Sequence, residues 1–213
     1  MPGPERHYLI NPFGLGYAEV TASNLVKIDI QGTVIGESAH PVNRAGFIIH
    51  SAIHAAREDA HCIVHLHTTA GVAVACKREG LSHDNFYGAQ LFGRVAYHDF
   101  EGITVNAGEQ PRLVASLGDR SVLILRNHGL LVVADSLPKA FWLTWTLQRA
   151  CEVQCTGQSM AGADIPVPDA VRRACAHDGE HFDPEGDLGR MMLDAFLRRM
   201  EIARRRAFVD FRS

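Results

Sequence analysis

The chain has 213 residues, 46% of them apolar and 21% charged, and a formal net charge of −3. That length is ample for a sizeable core in one domain or two small ones. The near-neutral charge excludes the electrostatic footprint of a nucleic-acid binder, and no run approaches the roughly 18 apolar residues of a membrane span. The N-terminus has neither the basic start nor the apolar stretch of a signal peptide, so a cytoplasmic location is expected. Five cysteines, an odd number without regular spacing, make no disulfide framework. Cys151 and Cys155 read as reduced thiols one helical turn apart. The cluster Arg204, Arg205 and Arg206 reads as a solvated helix end, where cations suit the dipole.

In chain order, residues 8–15 predict a strand running into a turn at Asn11, Pro12 and Gly14. Residues 24–30 alternate as a strand, and Gln31 and Gly32 turn it back onto residues 33–35 as a hairpin. Residues 43–57 fit a helix resting on a sheet, with His50 and His54 on one face. Such a pair could hold a metal, or one member could support a metal site from beneath.

Residues 62–67, Cys-Ile-Val-His-Leu-His, form the stretch around which the chain is organised. β-branched and aliphatic residues make it a strand, on which Ile63, His65 and His67 share one face. The two imidazoles stand about 7 Å apart along that face and can converge on one ion. His128 follows another apolar run, 122–125, and offers a third ligand. Three neutral imidazoles and an open position are the ligand set of a catalytic divalent metal rather than a closed structural one.

Residues 68–77 predict a helix with a hydroxyl cap. A polar loop at 82–87 precedes strand-like runs at 94–97 and 102–105. Residues 108–117 predict a helix with Pro111 in its first turn. The strand 121–125 leads to His128, and 130–133 is a further apolar run. A helix starts near Asp135–Pro138 and continues to about Cys155. Residues 162–168 read as a linker to a helical C-terminal segment, where Leu188, Met191, Met192, Phe196, Leu197 and Met200 approximate one stripe. Several strand pairs are joined too closely for parallel crossovers, so a mixed sheet with helices on both faces is expected.

At this point the chain resembles the class II aldolase/adducin family. The motifs that carry the likeness are Asn11-Pro-Phe-Gly14, Val42-Asn-Arg-Ala-Gly-Phe-Ile-Ile-His50, Cys62-Ile-Val-His-Leu-His-Thr68 and Leu125-Arg-Asn-His-Gly-Leu130. Their order and spacing cover roughly residues 8–160, and residues 45–54 with Tyr97-His98-Asp99 look most like the adducin-type branch. The resemblance implies an α/β three-layer α/β/α sandwich with a mixed, mostly antiparallel sheet, in a single domain with a helical extension from about 165 to 213. It also implies a homo-oligomer, a ring-shaped tetramer with active sites between subunits. His65, His67 and His128 match the family's three metal ligands. Zinc is the expected ion, with Mn2+ or Fe2+ as alternatives, acting as a Lewis acid on an enediolate during carbon–carbon cleavage or decarboxylation.

Two features depart from the family's sugar-phosphate aldolases. Their carboxylate acid/base falls, by spacing, on Gly46, so the proton shuttle is absent or displaced. Tyr87, His83 and Asp84 lie in a polar loop and could substitute. The family's early Gly-Asn-x-Ser-like phosphate loop has no counterpart in the sequence as given. Either the sequence is short at this end or the substrate is not a sugar phosphate. Asn11 and Gly14 stand where a second phosphate loop sits, and Arg44 could hold a carboxylate through forked hydrogen bonds. The expected function is a metal-dependent lyase acting on a small hydroxy- or keto-acid or sugar-derived substrate. The alternative is a non-catalytic, adducin-like binding module that keeps the metal site.

Overall fold

A computed structural model describes residues 6–182 and 188–210, with side chains of 203–210 excepted. The elements are β1 (His7–Ile10), β2 (Val26–Asp29), α1 (Arg44–Ala56), β3 (Cys62–Leu66), α2 (Thr69–Ala75), α3 (Phe86–Gln90), β4 (Val95–His98), α4 (Gln110–Leu117), β5 (Val122–Leu125), β6 (Gly129–Ala134), α5 (Leu137–Ser159), α6 (Asp169–His181) and α7 (Leu188–Asp210). Four strands form one sheet in the order β3-β6-β5-β4. β6 is antiparallel to both neighbours and β4 runs parallel to β5, so β3, β4 and β5 all point the same way.

Strand parity sorts the apolar side chains into two cores. Val122, Ile124, Leu130 and Val132 pack with α2 and α5, where Ala140, Leu143, Leu147, Ala150 and Cys151 recur at helical spacing. Leu123, Leu125, Leu131 and Val133 pack with Ile49 and Ile53 of α1 and Leu113 and Leu117 of α4. The result is a three-layer α/β/α sandwich with a mixed sheet, as expected. β5 and β6 are buried along their whole length, which explains why their sequences are continuous apolar runs rather than alternating ones. Burial also pushes the Cys151 thiol up to about 12.

Two expected strands are corrected. Residues 33–35 return toward β2 across a turn with Gly32 at φ 89°, but their pairing amounts to one bridge, Ile28 to Val34. The full partner of β2 is β1, in antiparallel register from His7–Asp29 to Ile10–Val26. Residues 102–105 form a bend rather than a strand, and Ile103 stands 79% exposed. Further along, Thr68 caps α2 by accepting from the Gly71 amide at 3.1 Å, as its hydroxyl predicted. Pro111 does lie in the first turn of α4.

The segment 162–168 is extended, yet it is tied down. The Asp84 carboxylate accepts from the Val167 amide at 2.7 Å and also from the Arg172 guanidinium. α6 then lies on α3 and α7 on α5, where Phe141 and Phe196 meet with ring centroids 5.2 Å apart. Met191, Leu197 and Met200 of the expected apolar stripe remain exposed. The side chains of Arg204, Arg205 and Arg206 lie outside the described residues.

Candidate metal centre

The site lies at the common carboxyl end of β3, β4 and β5, a usual place for ligands in α/β sheets. His65 has the parity of Ile63 and so faces the α1 and α4 layer. His67 follows one residue beyond β3. His128 is the last residue of the three-residue loop that joins β5 to β6. In that loop Asn127 adopts φ 54°, a left-handed conformation that Asn tolerates better than most residues. The loop is fixed by backbone bonds from Arg126 N to His98 O (2.8 Å), Asn127 N to Ala75 O (3.0 Å) and His128 N to Leu125 O (3.0 Å). Gly129 lets it press against β3, since a Cβ there would stand 2.5 Å from the Leu66 carbonyl oxygen.

The three imidazoles converge, with ring centroids 4.6, 5.0 and 4.8 Å apart. One ligand nitrogen from each lies within 4.8 Å of the others. Nitrogens bound at about 2.0–2.1 Å to one tetrahedral ion stand about 3.4 Å apart, so small ring rotations suffice. His65 Nδ1–H donates to the Leu130 carbonyl at 2.9 Å, which leaves Nε2 with its lone pair turned toward the cluster. That nitrogen is 2.8 Å from His67 Nε2, a proton-sharing contact that a divalent cation would replace. Burial, and then the nearness of His128, pushes His65 down to about 3. Burial followed by the nearness of His67 lowers His128. Both rings are therefore neutral near pH 7, as metal ligation requires. The donor set fits a divalent metal.

His50 on α1 lies close enough to interact electrostatically with His65. Burial, and then His54, lowers it to about 4. His54 instead donates from Nδ1 to the Ala60 carbonyl at 2.7 Å and sets its ring, tilted by 38°, with its centroid 4.5 Å from that of Tyr8. Among the described residues no third ligand group joins His50 and His54, which corrects the idea of a second metal site there.

The loop of Asn11 and Gly14 is tied to the segment that precedes Arg44. Pro12 bridges Val42, and the Phe13 amide donates to the Pro41 carbonyl at 2.8 Å, so the 11–14 loop runs beside the start of α1. Arg44 is exposed and donates from Nε to the Val105 carbonyl at 3.2 Å. Gly46, on the same helix, carries no acid/base group. Its missing Cβ would meet nothing closer than Ile10 Cδ1 at 3.8 Å, so the position has room for a side chain.

The loop candidates are not assembled with the imidazoles. Tyr87 packs edge-on against Trp145, centroids 5.5 Å apart, with the Arg149 guanidinium 5.9 Å from its ring. His83 donates from Nδ1 to the Gly88 carbonyl at 2.7 Å, and Asp84 is committed to Val167 and Arg172. Sequence reasoning missed Phe100, whose ring is 6.4 Å from that of His128. It also missed the role of the Leu130 carbonyl, a main-chain group that no side-chain pattern announces.

The fold thus presents three convergent imidazoles, able to hold a divalent cation, at the carboxyl end of an α/β/α sheet. The family model for the class II aldolase and adducin N-terminal domain matches residues 2–155, and the chain belongs to that family. It is 47% identical over 173 residues to a Caulobacter vibrioides protein named provisionally as an aldolase class 2 protein, covering 81% of this chain and 67% of the relative. Alpha-adducin of Rattus norvegicus is 41% identical over 210 residues, a match that takes up 92% of this chain but 28% of the adducin. An aldolase II superfamily protein from Pseudomonas syringae superposes with TM-score 0.87 at 42% identity, covering 95% of this chain and 81% of the other. L-fuculose 1-phosphate aldolase from Glaciozyma antarctica gives TM-score 0.71 at 31% identity, with 81% and 67% coverage.

Proposed function

We propose that this chain is a divalent-metal-dependent lyase that cleaves a carbon–carbon bond, by retro-aldol reaction or decarboxylation, in a small hydroxy- or keto-acid or sugar-derived substrate. The observation that carries this reading is the convergence of His65, His67 and His128, with the His65 tautomer set by Leu130. A non-catalytic module has no need of three aligned ligand nitrogens. A bound divalent cation, zinc by resemblance with Mn2+ or Fe2+ as alternatives, would draw electron density from the substrate oxygens so that the electrons of the breaking bond can be held there.

The residues of the chain then divide the remaining tasks. Among the described residues the hydrogen bond of the Arg44 guanidinium leaves from Nε, so its Nη groups suit a carboxylate. Asn11 and Gly14, in the loop beside the start of α1, are assigned to the same substrate. Exposed Phe13, Phe100, Ile103 and Val105 occur in loops, and they support a homo-oligomer in which a second copy covers them, a tetramer by family resemblance.

Gly46 favours the second reading, an adducin-like binding module with a vestigial site. Metal content, measured by inductively coupled plasma mass spectrometry on protein purified without added metal or affinity tag, separates the two. Near-stoichiometric metal that is lost in His65→Ala, together with turnover of a hydroxy-keto acid that His67→Ala abolishes, is expected. A chain that neither carries metal nor takes it up on dialysis would overturn the lyase.

A further inference from the structure

A second polar cluster lies at the site end of the sheet, and the three imidazoles do not use it. His98 is the last residue of β4 and is 4% exposed. It shares the parity of Ala96, which faces the α1 and α4 layer. Its Nδ1 is 2.9 Å from Ser116 Oγ on α4. Its buried Nε2 makes no hydrogen bond, and the carboxylate oxygens nearest to it are Glu109 Oε1 at 3.3 Å and Glu101 Oε1 at 3.9 Å, ion-pair distances. Glu109, in the turn that leads into α4, is itself 5% exposed. Its other recorded partner is the Thr104 hydroxyl, which donates to Oε1 at 3.3 Å. A buried carboxylate with so few donors is costly unless a specific neighbour compensates it, and removing that neighbour leaves the cost unopposed.

The backbone of the same residue holds the loop that carries His128. The His98 carbonyl accepts from Arg126 N at 2.8 Å, and Arg126 is the first residue of the loop that ends in His128. The register places His98 opposite Leu125, the residue just before that loop. Two residues beyond His98, Phe100 sets its ring against His128. The 98–100 segment thus braces His128 from the side of the sheet opposite β3, and its own position is set by where the His98 side chain is held. Ser116 and Glu109 hold it.

We propose that His98 and Glu109 are a positioning pair for the metal centre: their buried contact fixes the end of β4, and through the Arg126 hydrogen bond it aims His128 at His65 and His67. The proposal rests on reading the three imidazoles as a metal site. It predicts that breaking the pair weakens metal binding and alters the geometry of His128, which the His98 side chain reaches as a nearby charge and its backbone braces through Arg126.

Cobalt(II) serves as probe, because its visible absorption reports coordination geometry without any substrate. Glu109→Ala is expected to bind Co2+ at least tenfold more weakly than the unaltered protein, in the range seen when supporting partners of metal ligands are removed, with a changed absorption band. Glu109→Gln, which keeps the volume but removes the charge that faces His98, is expected to lose affinity to an intermediate degree, and it remains a test if the alanine variant fails to fold. Leu117→Ala, in the core under α4, is the control for general loss of stability. It should lower the melting temperature yet leave Co2+ affinity and spectrum unchanged. If the Glu109 variants bind Co2+ with unaltered affinity and spectrum, or lose no more affinity than Leu117→Ala, the positioning role is overturned. If the unaltered protein binds Co2+ no better than His67→Ala, the metal site itself falls and takes the pair with it.

Discussion

Gly129 is where the β5–β6 hairpin crosses the end of β3, and the crossing has no room for a side chain. An alanine methyl would stand 2.5 Å from the Leu66 carbonyl and 2.8 Å from the His67 ring. The hairpin would have to lift, and His67 would move with it. Gly129→Ala is therefore expected to cost about 2 kcal/mol of stability and to weaken metal uptake. Urea titration with a parallel metal-binding isotherm checks both, and an unchanged affinity would show that the close approach does not aim the ligand. His65, His67 and His128 were legible in the sequence because strand parity places the first two on one face and an apolar run delivers the third to a strand end. His98 and Glu109 were not. His98 enters the sequence reading only through the Tyr97-His98-Asp99 likeness to adducins, with no role attached, and Glu109 as one more residue of the helix expected over 108–117. Their burial comes from packing between α4 and β4, which local pattern does not record.

At the scale of elements, α1 shows how the departure from the aldolase pattern can be probed. Asn43 caps this helix by accepting from the Ala45 amide at 3.0 Å, which makes Gly46 the third residue of the first turn. A glutamate there would replace the poorest non-proline helix former, a gain of up to about 1 kcal/mol. It would also put a carboxylate where the helix dipole favours it and where it can bond back to the cap. Gly46→Glu is expected to raise the melting temperature while restoring the carboxylate that the family's aldolases carry; a fall in melting temperature would mean that the site excludes it. Asp84 presents the opposite case, a loop carboxylate whose work is structural. Asp84→Ala removes the acceptor for the Val167 amide and the partner of Arg172, at an expected cost of about 2 kcal/mol. Protease cleavage within 162–168 should quicken, and unchanged cleavage would mean that α6 is held by α3 alone. The sequence announced most helices and the main strands, since spacing and breakers are local. It misjudged 33–35 and 102–105 for a physical reason. β2 takes its full partner from β1, and Ile103 and Val105 have no sheet to join, so their alternation carries no pairing.

Across the whole molecule, acid stability follows from how many imidazoles the fold keeps neutral. His50 is held down to about 4 and His65 to about 3, in both cases with burial as the largest cause, while His54 and His128 are lowered as well. In the unfolded chain each titrates near 6.5. Below that pH the unfolded state binds protons that the folded state refuses, so stability is full above about 6.5 and falls as the pH drops toward 4. Each such group contributes a slope of at most about 1.4 kcal/mol per pH unit, and His50 and His65 together at most about 2.7. Urea midpoints of the metal-free protein at pH 7.5, 6.5, 5.5 and 4.5 should therefore hold steady across the first step and then decline. His50→Gln should remove about one proton's share of the decline. A profile that stays flat to pH 4.5 would mean that these rings take up protons in the folded protein as readily as in the unfolded one. A bound divalent ion adds to this in a defined direction. It competes with protons for His65, His67 and His128, so saturating metal should raise the midpoint most near neutral pH and least at pH 4.5. Two of the rings that would hold the metal, His65 and His128, are thus part of what makes the metal-free fold sensitive to acid.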